Sequence, residues 1–151
     1  MRSESSATPR PRKQSASTPA KKKILVADDL SMSRELMREA LEKHGFQVAE
    51  ASDGGETLRE AYAHKPDLIL LDIDMPVLDG YAVVKRLRQD PEFAELPIIA
   101  ITGLSSKEHR ERAYDAGCSS FLRKPFNISN MIEEIDCFLG TDPGAKVEPS
   151  K

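Results

Sequence analysis

The sequence predicts an α/β fold in which a five-stranded parallel sheet carries helices on both faces. Between residues 23 and 140, five short apolar segments alternate with five segments of helical periodicity, the pattern of repeated strand–helix units. The third apolar segment, Leu68 to Leu71, lacks polar alternation, which is typical of a central strand covered on both faces. Four of the five segments end on polar residues, so we expect a site at the carboxyl edge of the sheet.

The predicted strands are short and lie between turn-forming residues. Pro76 prevents the third strand from continuing, and Pro97 precedes the fourth, because proline cannot donate to a strand ladder. The predicted strands are residues 24–27, 46–51, 68–71, 98–101 and 118–122.

The predicted helices are recognised by their caps and by apolar residues at helical spacing. We expect caps at Ser31 or Ser33, at Asp53 with its capping-box partner Glu56, and at Ser105 or Ser106. The third helix runs from Tyr81 to about Gln89. The first helix ends at Gly45, the fourth at Gly117 and the fifth at Gly140, and the second ends before the third strand. The residues expected to face the core are Leu36, Met37, Ala40, Leu41, Leu58, Ala61, Tyr62, Val83, Val84, Leu87, Ile128, Met131, Ile132, Ile135 and Leu139.

The polar strand ends define the candidate site: Asp28 with Asp29, then Asp72, Thr102 and Lys124. Parallel strands joined by right-handed crossovers present their carboxyl ends at one edge, so these groups can converge. Clustered carboxylates repel one another unless a cation lies among them, and oxygen ligands without a nearby His or thiolate favour Mg²⁺. Lys124 suits a phosphoryl oxygen. The set therefore indicates attack of the Asp72 carboxylate on a phosphoryl group, which gives an aspartyl phosphate.

Composition and charge exclude several classes of function. Residues 1–23 hold seven Lys/Arg and one Glu, whereas residues 24–140 hold thirteen Lys/Arg and twenty-two Asp/Glu. Such an acidic domain is not expected to bind DNA. Cys118 and Cys137 match neither a disulfide framework nor a metal-ligand spacing, and no apolar stretch approaches the length of a membrane span. We therefore expect a cytoplasmic protein without membrane contact.

These residues resemble the receiver domain of two-component response regulators, close to the single-domain chemotaxis type. The resemblance covers residues 23–140 and implies a flavodoxin-like sheet with strand order 2-1-3-4-5. We expect disordered basic residues at 1–22, a short flexible tail at 141–151 and no second folded domain. The matching motifs are Asp28-Asp29, Asp72 with Met75-Pro76, Asp79-Gly80, Thr102-Gly103 and Lys124-Pro125-Phe126.

The resemblance implies a role for each site residue. Asp72 is the expected phospho-acceptor, and Asp29 and Asp72 are the expected direct Mg²⁺ ligands. Asp28 would hold the metal through water, and the main-chain carbonyl of Asp74 would complete the protein ligands. Lys124 is the expected phosphate-binding lysine.

The resemblance also implies a conformational switch and a set of partners. Thr102 corresponds to the switch hydroxyl and Phe121 to the switch aromatic residue. The phosphoryl donor would be a sensor histidine kinase or a phosphotransfer protein, with a downstream protein target, and the chain would be a monomer or a weak dimer. Asp74 and Leu104 differ from common family residues at positions that influence the lifetime of the phosphoryl group.

Two other functions are compatible with parts of the pattern. A phosphatase of the haloacid dehalogenase type is also phosphorylated on an Asp of its own, in an Asp-x-Asp motif such as Asp72-Ile-Asp74. That motif belongs on the first strand of its domain, however, and an acidic pair should follow the lysine. A pseudo-receiver that binds partners without phosphorylation is the other alternative, and the intact acidic set argues against it.

Overall fold

A computed structural model describes residues 21–73, 80–103 and 107–140. Strands and helices alternate throughout, with one short 3-10 helix, Pro91–Phe93, before the fourth strand. The strands are β1 (Lys23–Ala27), β2 (Gln47–Ala51), β3 (Leu68–Asp72), β4 (Ile98–Thr102) and β5 (Ser120–Arg123). The helices are α1 (Ser31–Lys43), α2 (Gly54–His64), α3 (Gly80–Arg88), α4 (Lys107–Ala116) and α5 (Ile128–Leu139).

The five strands form one parallel sheet in the order β2-β1-β3-β4-β5. This confirms the predicted fold class and the strand order implied by the resemblance. All five residues of β3 are buried, as its unbroken apolar sequence predicts for a central strand. The register pairs Ala27 of β1 with Leu71, and Asp72 with Ile101 of β4, so β1, β3 and β4 end at one level.

Alternate residues of the strands bury two separate apolar layers. Leu68 and Leu70 of β3 face a cluster that includes Met37 and Leu41 of α1 and residues of α5. Ile69 and Leu71 face the opposite cluster, to which α2, α3 and α4 contribute. Because both sheet faces are covered by apolar layers, the polar residues at the strand ends gather at the carboxyl edge of the sheet.

Two of the predicted strands begin later than expected, for the same reason. The amide of Phe46 donates to the Leu41 carbonyl, and the amide of Cys118 donates to the Ala113 carbonyl. Each residue therefore completes the preceding helix turn, after a glycine with positive φ, and is not available to the strand ladder. The prediction of residues 46–51 and 118–122 as strands was wrong at these ends.

Predictions about helix caps and helix faces were partly wrong. Asp53 caps α2 as expected, and the Glu56 carboxylate accepts a hydrogen bond from the Ser52 amide. The N-cap of α1 is Leu30, which makes no side-chain capping bond, so neither Ser31 nor Ser33 is the cap. Leu36 is 58% exposed and Ile128 of α5 is 41% exposed, so the prediction that these two residues face the core was wrong.

Tyr62 was also predicted to face inward, and it is 42% exposed. Its ring packs edge-on against Phe93 with centroids 5.0 Å apart. Its hydroxyl donates to Asp90 Oδ2 over 2.8 Å, which keeps the polar end of the side chain at the surface.

Several predictions lie outside the described residues. They concern the two tails, Asp74, Met75-Pro76, Asp79, Leu104 and the cap at Ser105 or Ser106. No helix in the described part of the chain is both long enough and apolar enough to cross a membrane.

A candidate phosphoryl-acceptor site at the carboxyl edge of the sheet

Three carboxylates meet where the adjacent central strands β1 and β3 end. Asp28 and Asp29 directly follow β1, and Asp72 is the last residue of β3. One oxygen from each of the three lies within 4.8 Å of the other two. Asp28 and Asp72 are buried, whereas Asp29 is exposed. The parallel register therefore brings together the three acidic residues that the sequence singled out.

Hydrogen bonds hold Asp28 at both its side chain and its main chain. Its carboxylate accepts from the Leu30 amide over 2.9 Å and from the Ser33 hydroxyl over 2.8 Å. Its own amide donates to the Ala51 carbonyl of β2 over 3.0 Å, and its carbonyl accepts from Arg34 Nη1 over 2.7 Å. A buried carboxylate needs such donors. Asp28 is thus fixed in place by the first turn of α1.

Lys124 lies among the carboxylates from the opposite side. Its Nζ is 3.1 Å from Asp72 Oδ2 and 3.9 Å from Asp28 Oδ2. The Lys124 amide donates to the Thr102 carbonyl over 2.8 Å, which carries the β4–β5 pairing one residue past Arg123, the end of β5. This contact brings the lysine to the same edge as the aspartates. The predicted convergence of the two aspartate-bearing strand ends with Lys124 is therefore observed.

Gly80 allows α3 to begin directly against the end of β3. Its amide donates to the Ile73 carbonyl over 3.1 Å. A Cβ at this position would lie 2.7 Å from the Ile73 Cα and 3.2 Å from the Asp72 carbonyl oxygen. Only glycine permits this approach without displacing the backbone beside Asp72.

The two predicted switch residues lie on neighbouring strands. Thr102 ends β4 and is 1% exposed. Phe121 of β5 is half-buried and packs against the apolar cluster on the α3–α4 side of the sheet. Their roles stay predictions, as does that of Asp74.

Sequence reasoning missed the residues that hold the acidic pair. Arg34 donates to the Asp28 carbonyl and also pairs with Glu50 of β2, with Nε 3.0 Å from Oε1. Ser33 was considered only as a helix cap, yet its hydroxyl donates a hydrogen bond to the Asp28 carboxylate. The available signal was the position of both residues in the first turn of a helix that directly follows two aspartates.

The donor set fits a hard divalent cation. Three carboxylates from Asp28, Asp29 and Asp72 can share such an ion, and the described residues of this cluster include neither His nor Cys. An exposed Asp29 leaves the cluster open to solvent, which suits an ion that retains water ligands. The residues present therefore fit Mg²⁺.

The fold and this site together define a class: parallel α/β domains with an acidic, lysine-flanked site at the carboxyl edge of the sheet. The family model of the response regulator receiver domain matches residues 24–136. The chain belongs to the response regulator receiver family, as the resemblance implied.

Two similar proteins agree with this assignment. The polar-differentiation response regulator DivK of Brucella anthropi is 34% identical over 119 residues, which cover 79% of this chain and 97% of that protein. The chemotaxis protein CheY4 of Vibrio cholerae superposes with a TM-score of 0.76 at 30% identity and covers 79% of this chain and 99% of its own.

A third comparison concerns the metal. The receiver domain of a sensor histidine kinase from Pseudomonas aeruginosa superposes with a TM-score of 0.75 at 30% identity, over 81% of this chain and all of that one. That structure holds a magnesium ion coordinated in the active-site cleft. The chain thus holds a single receiver domain that resembles stand-alone response regulators, a class of signalling switch whose members are typically phosphorylated on an Asp with Mg²⁺.

Proposed function

We propose that this protein accepts a phosphoryl group on Asp72 in the presence of Mg²⁺ and thereby changes the surface that it presents to a partner. The observation that carries the proposal is the position of Asp72, which is buried at the end of β3 with Lys124 Nζ 3.1 Å from its carboxylate. Asp28 and Asp29 supply the rest of the acidic cluster.

The residues around Asp72 each have a part in the transfer. A carboxylate oxygen of Asp72 forms the new P–O bond while the bond from phosphorus to the donor breaks. When the donor is a phosphohistidine, this is a P–N bond, and the departing imidazole nitrogen keeps the electron pair and takes a proton from solvent. Lys124 supplies positive charge to the phosphoryl oxygens. Asp29 and Asp72 would hold Mg²⁺ directly and Asp28 through water, with the Asp74 carbonyl as a further ligand, and an ion held there would neutralise negative charge on the phosphoryl oxygens.

The signal is proposed to pass through Thr102 and Phe121. A phosphoryl group on Asp72 offers acceptor oxygens to the Thr102 hydroxyl, which draws the end of β4 inward and lets the Phe121 ring turn toward the core. A hydrogen bond to a charged group contributes about 1.5–3 kcal/mol. A near-complete switch needs about 5.5 kcal/mol. Lys124 and Mg²⁺ must therefore contribute to the bias.

The partners follow from the family. A sensor histidine kinase or a phosphotransfer protein in the cytoplasm supplies the phosphoryl group, and a protein target reads the result. We propose that the domain itself acts as a switch and not as an enzyme with an external substrate, that it does not bind DNA, and that it is a monomer or a weak dimer.

The test is to incubate the protein with a small phosphodonor and to measure the mass of the intact protein. Wild type with Mg²⁺ should gain one phosphoryl group, and Asp72→Asn should gain none. Asp115→Asn, which removes an exposed carboxylate from α4, is the matched control and should label like wild type. Equal labelling of wild type and Asp72→Asn would refute the assignment of the acceptor.

The same samples separate the alternatives. Steady turnover of a small phosphomonoester that depends on Asp72 would indicate a phosphatase. A folded wild type that binds Mg²⁺ and is never labelled, by a small donor or by a phosphorylated histidine kinase, would indicate a pseudo-receiver.

A further inference from the structure

Glu50 of β2 holds two arginines of α1, and only one of them reaches the acidic site. Arg34 Nε is 3.0 Å from Glu50 Oε1, and Arg38 Nε is 3.0 Å from Glu50 Oε2. Arg34 also donates from Nη1 to the Asp28 carbonyl over 2.7 Å. Arg38 instead contacts two carboxylates of its own helix, Glu42 at 3.3 Å and Glu35 at 4.0 Å. The two arginines thus share an anion and differ in their contact with Asp28.

The carbonyl that Arg34 holds belongs to the peptide that joins Asp28 to Asp29. This planar peptide fixes the positions of the Asp29 amide and Cα, and together with φ of Asp29 it sets the direction in which the side chain leaves the main chain. Asp29 is exposed, and within the ranges that the structure describes no hydrogen bond or ion pair to its carboxylate is found. The position of the Asp29 carboxylate beside Asp28 and Asp72 therefore depends on where its own main chain is held.

We propose that Arg34 is a positioning residue for the metal site: anchored by Glu50, it fixes the Asp28–Asp29 peptide and so aims the Asp29 carboxylate at the ion. This inference rests on the proposed function, in which Asp29 is a direct Mg²⁺ ligand. The planar guanidinium can serve the carboxylate and the carbonyl at once through separate N–H groups. The Arg34 side chain is 19% exposed and that of Glu50 37%, so the contact with the Asp28 carbonyl is better shielded from water than the ion pair with Glu50.

The charge of Arg34 and its positioning role predict changes of opposite sign. Removal of a cation from the neighbourhood of three carboxylates should tighten the binding of a divalent cation, because repulsion is lost. Loss of the hydrogen bond to the Asp28 carbonyl should weaken it, because the ligand is no longer held in place. The sign of the change therefore distinguishes the two roles.

The experiment is a Mg²⁺ titration followed by amide chemical shifts of the full chain. Arg34→Met should weaken binding about tenfold, the lower end of the range for loss of a residue that orients a metal ligand. Arg38→Met is the matched control, since it removes the same charge from the same anion, and should change affinity by less than about twofold, as a surface substitution does. The Mg²⁺ affinity of Glu50→Gln should lie between those of Arg34→Met and Arg38→Met, because this change weakens the contact that holds Arg34.

Two further measurements complete the test. Arg34→Lys keeps the charge without the planar fork and should bind Mg²⁺ nearly as weakly as Arg34→Met. In the metal-free protein, the chemical shift of the Asp28 carbonyl carbon should change in Arg34→Met and remain unchanged in Arg38→Met. This shift reports the contact with Arg34 directly. If Arg34→Met does not fold, Arg34→Lys and Glu50→Gln supply the comparison.

The outcomes separate this inference from the proposed function. Tighter binding in Arg34→Met, equal changes in Arg34→Met and Arg38→Met, or wild-type affinity in Arg34→Lys would each overturn the positioning role while leaving Mg²⁺ binding intact. A wild type that binds no Mg²⁺ would instead overturn the proposed function, and this inference with it.

Discussion

Lys124 Nζ lies 3.1 Å from Asp72 Oδ2, so the carboxyl edge of the sheet places the lysine that directly follows β5 against the carboxylate at the end of β3. Asp72 is 3% exposed at its side chain and Lys124 is 29% exposed. The pair is thus reached by solvent from the lysine side. Asp28 and Asp29 add two more carboxylates within 4.8 Å, which leaves an excess of negative charge around this contact.

Asp29→Asn should stabilise the fold when Mg²⁺ is absent. Carboxylate oxygens within 4.8 Å repel by at least about 3.5 kcal/mol per pair at an effective dielectric of 20, and solvent screening of the exposed Asp29 reduces the expected gain to about 1 kcal/mol. Urea unfolding in a chelator should show this gain, and Asp115→Asn should not. Saturating Mg²⁺ should stabilise wild type more than the variant and close the gap. A gain that persists in Mg²⁺ would contradict the proposed ligand.

Thr102→Ala should accept a phosphoryl group and fail to switch, because the acceptor remains while the donor hydroxyl is lost. The measurement is the amide chemical shifts of residues 107–125 with and without a beryllofluoride mimic of the phosphoryl group. Thr102→Ser keeps the hydroxyl and should respond like wild type. If Thr102→Ala responds like wild type over the same residues, the proposed coupling is wrong.

Gly80→Ala should destabilise the domain by about 1–3 kcal/mol, the usual cost of forcing an atom into a packed position. The added Cβ would lie 2.7 Å from the Ile73 Cα, and the backbone next to Asp72 would have to move. Gly55→Ala, in the first turn of α2, is the matched control, since its Cβ meets only Asp53 Oδ1, at 3.5 Å. That variant should be neutral or more stable by up to about 1 kcal/mol in urea unfolding. Equal effects would show that the close approach is not what Gly80 provides.

The two cysteines should react at very different rates with a thiol reagent near neutral pH. Burial raises the pKa of the Cys118 thiol to about 11, so the reactive thiolate is scarce and also inaccessible. Cys137 is exposed on α5. The reagent should therefore modify Cys137 rapidly in the native protein and Cys118 only on unfolding. Cys137→Ser should remove the rapid phase. A rapid phase that survives in Cys137→Ser would show that Cys118 is accessible. Because this thiol reacts from the unfolded chain, where burial no longer raises its pKa, the slow phase should quicken as the pH rises through the ordinary thiol pKa of about 8.5.

Much of the fold could be predicted from the chain itself because burial leaves a periodic record in the sequence. The apolar run Leu68 to Leu71 predicted a strand covered on both faces, and all of its residues are buried. Helix ends were less predictable where the chain bends back. The amides of Phe46 and Cys118 complete helices α1 and α4, and no local pattern distinguishes them from the first residue of a strand.

The candidate site was predictable as a set of residues, and its supporting contacts were not. By itself, the sequence determined that Asp28-Asp29, Asp72 and Lys124 follow apolar strands, because the position of a polar residue after a buried run is a local property. Only the tertiary structure decided that Arg34 joins Glu50 of β2 to the Asp28 carbonyl, that Ser33 serves Asp28, and that Leu36 is exposed. These depend on the rotation of α1 about its axis and its distance from β2, which are set by packing between residues far apart in the chain.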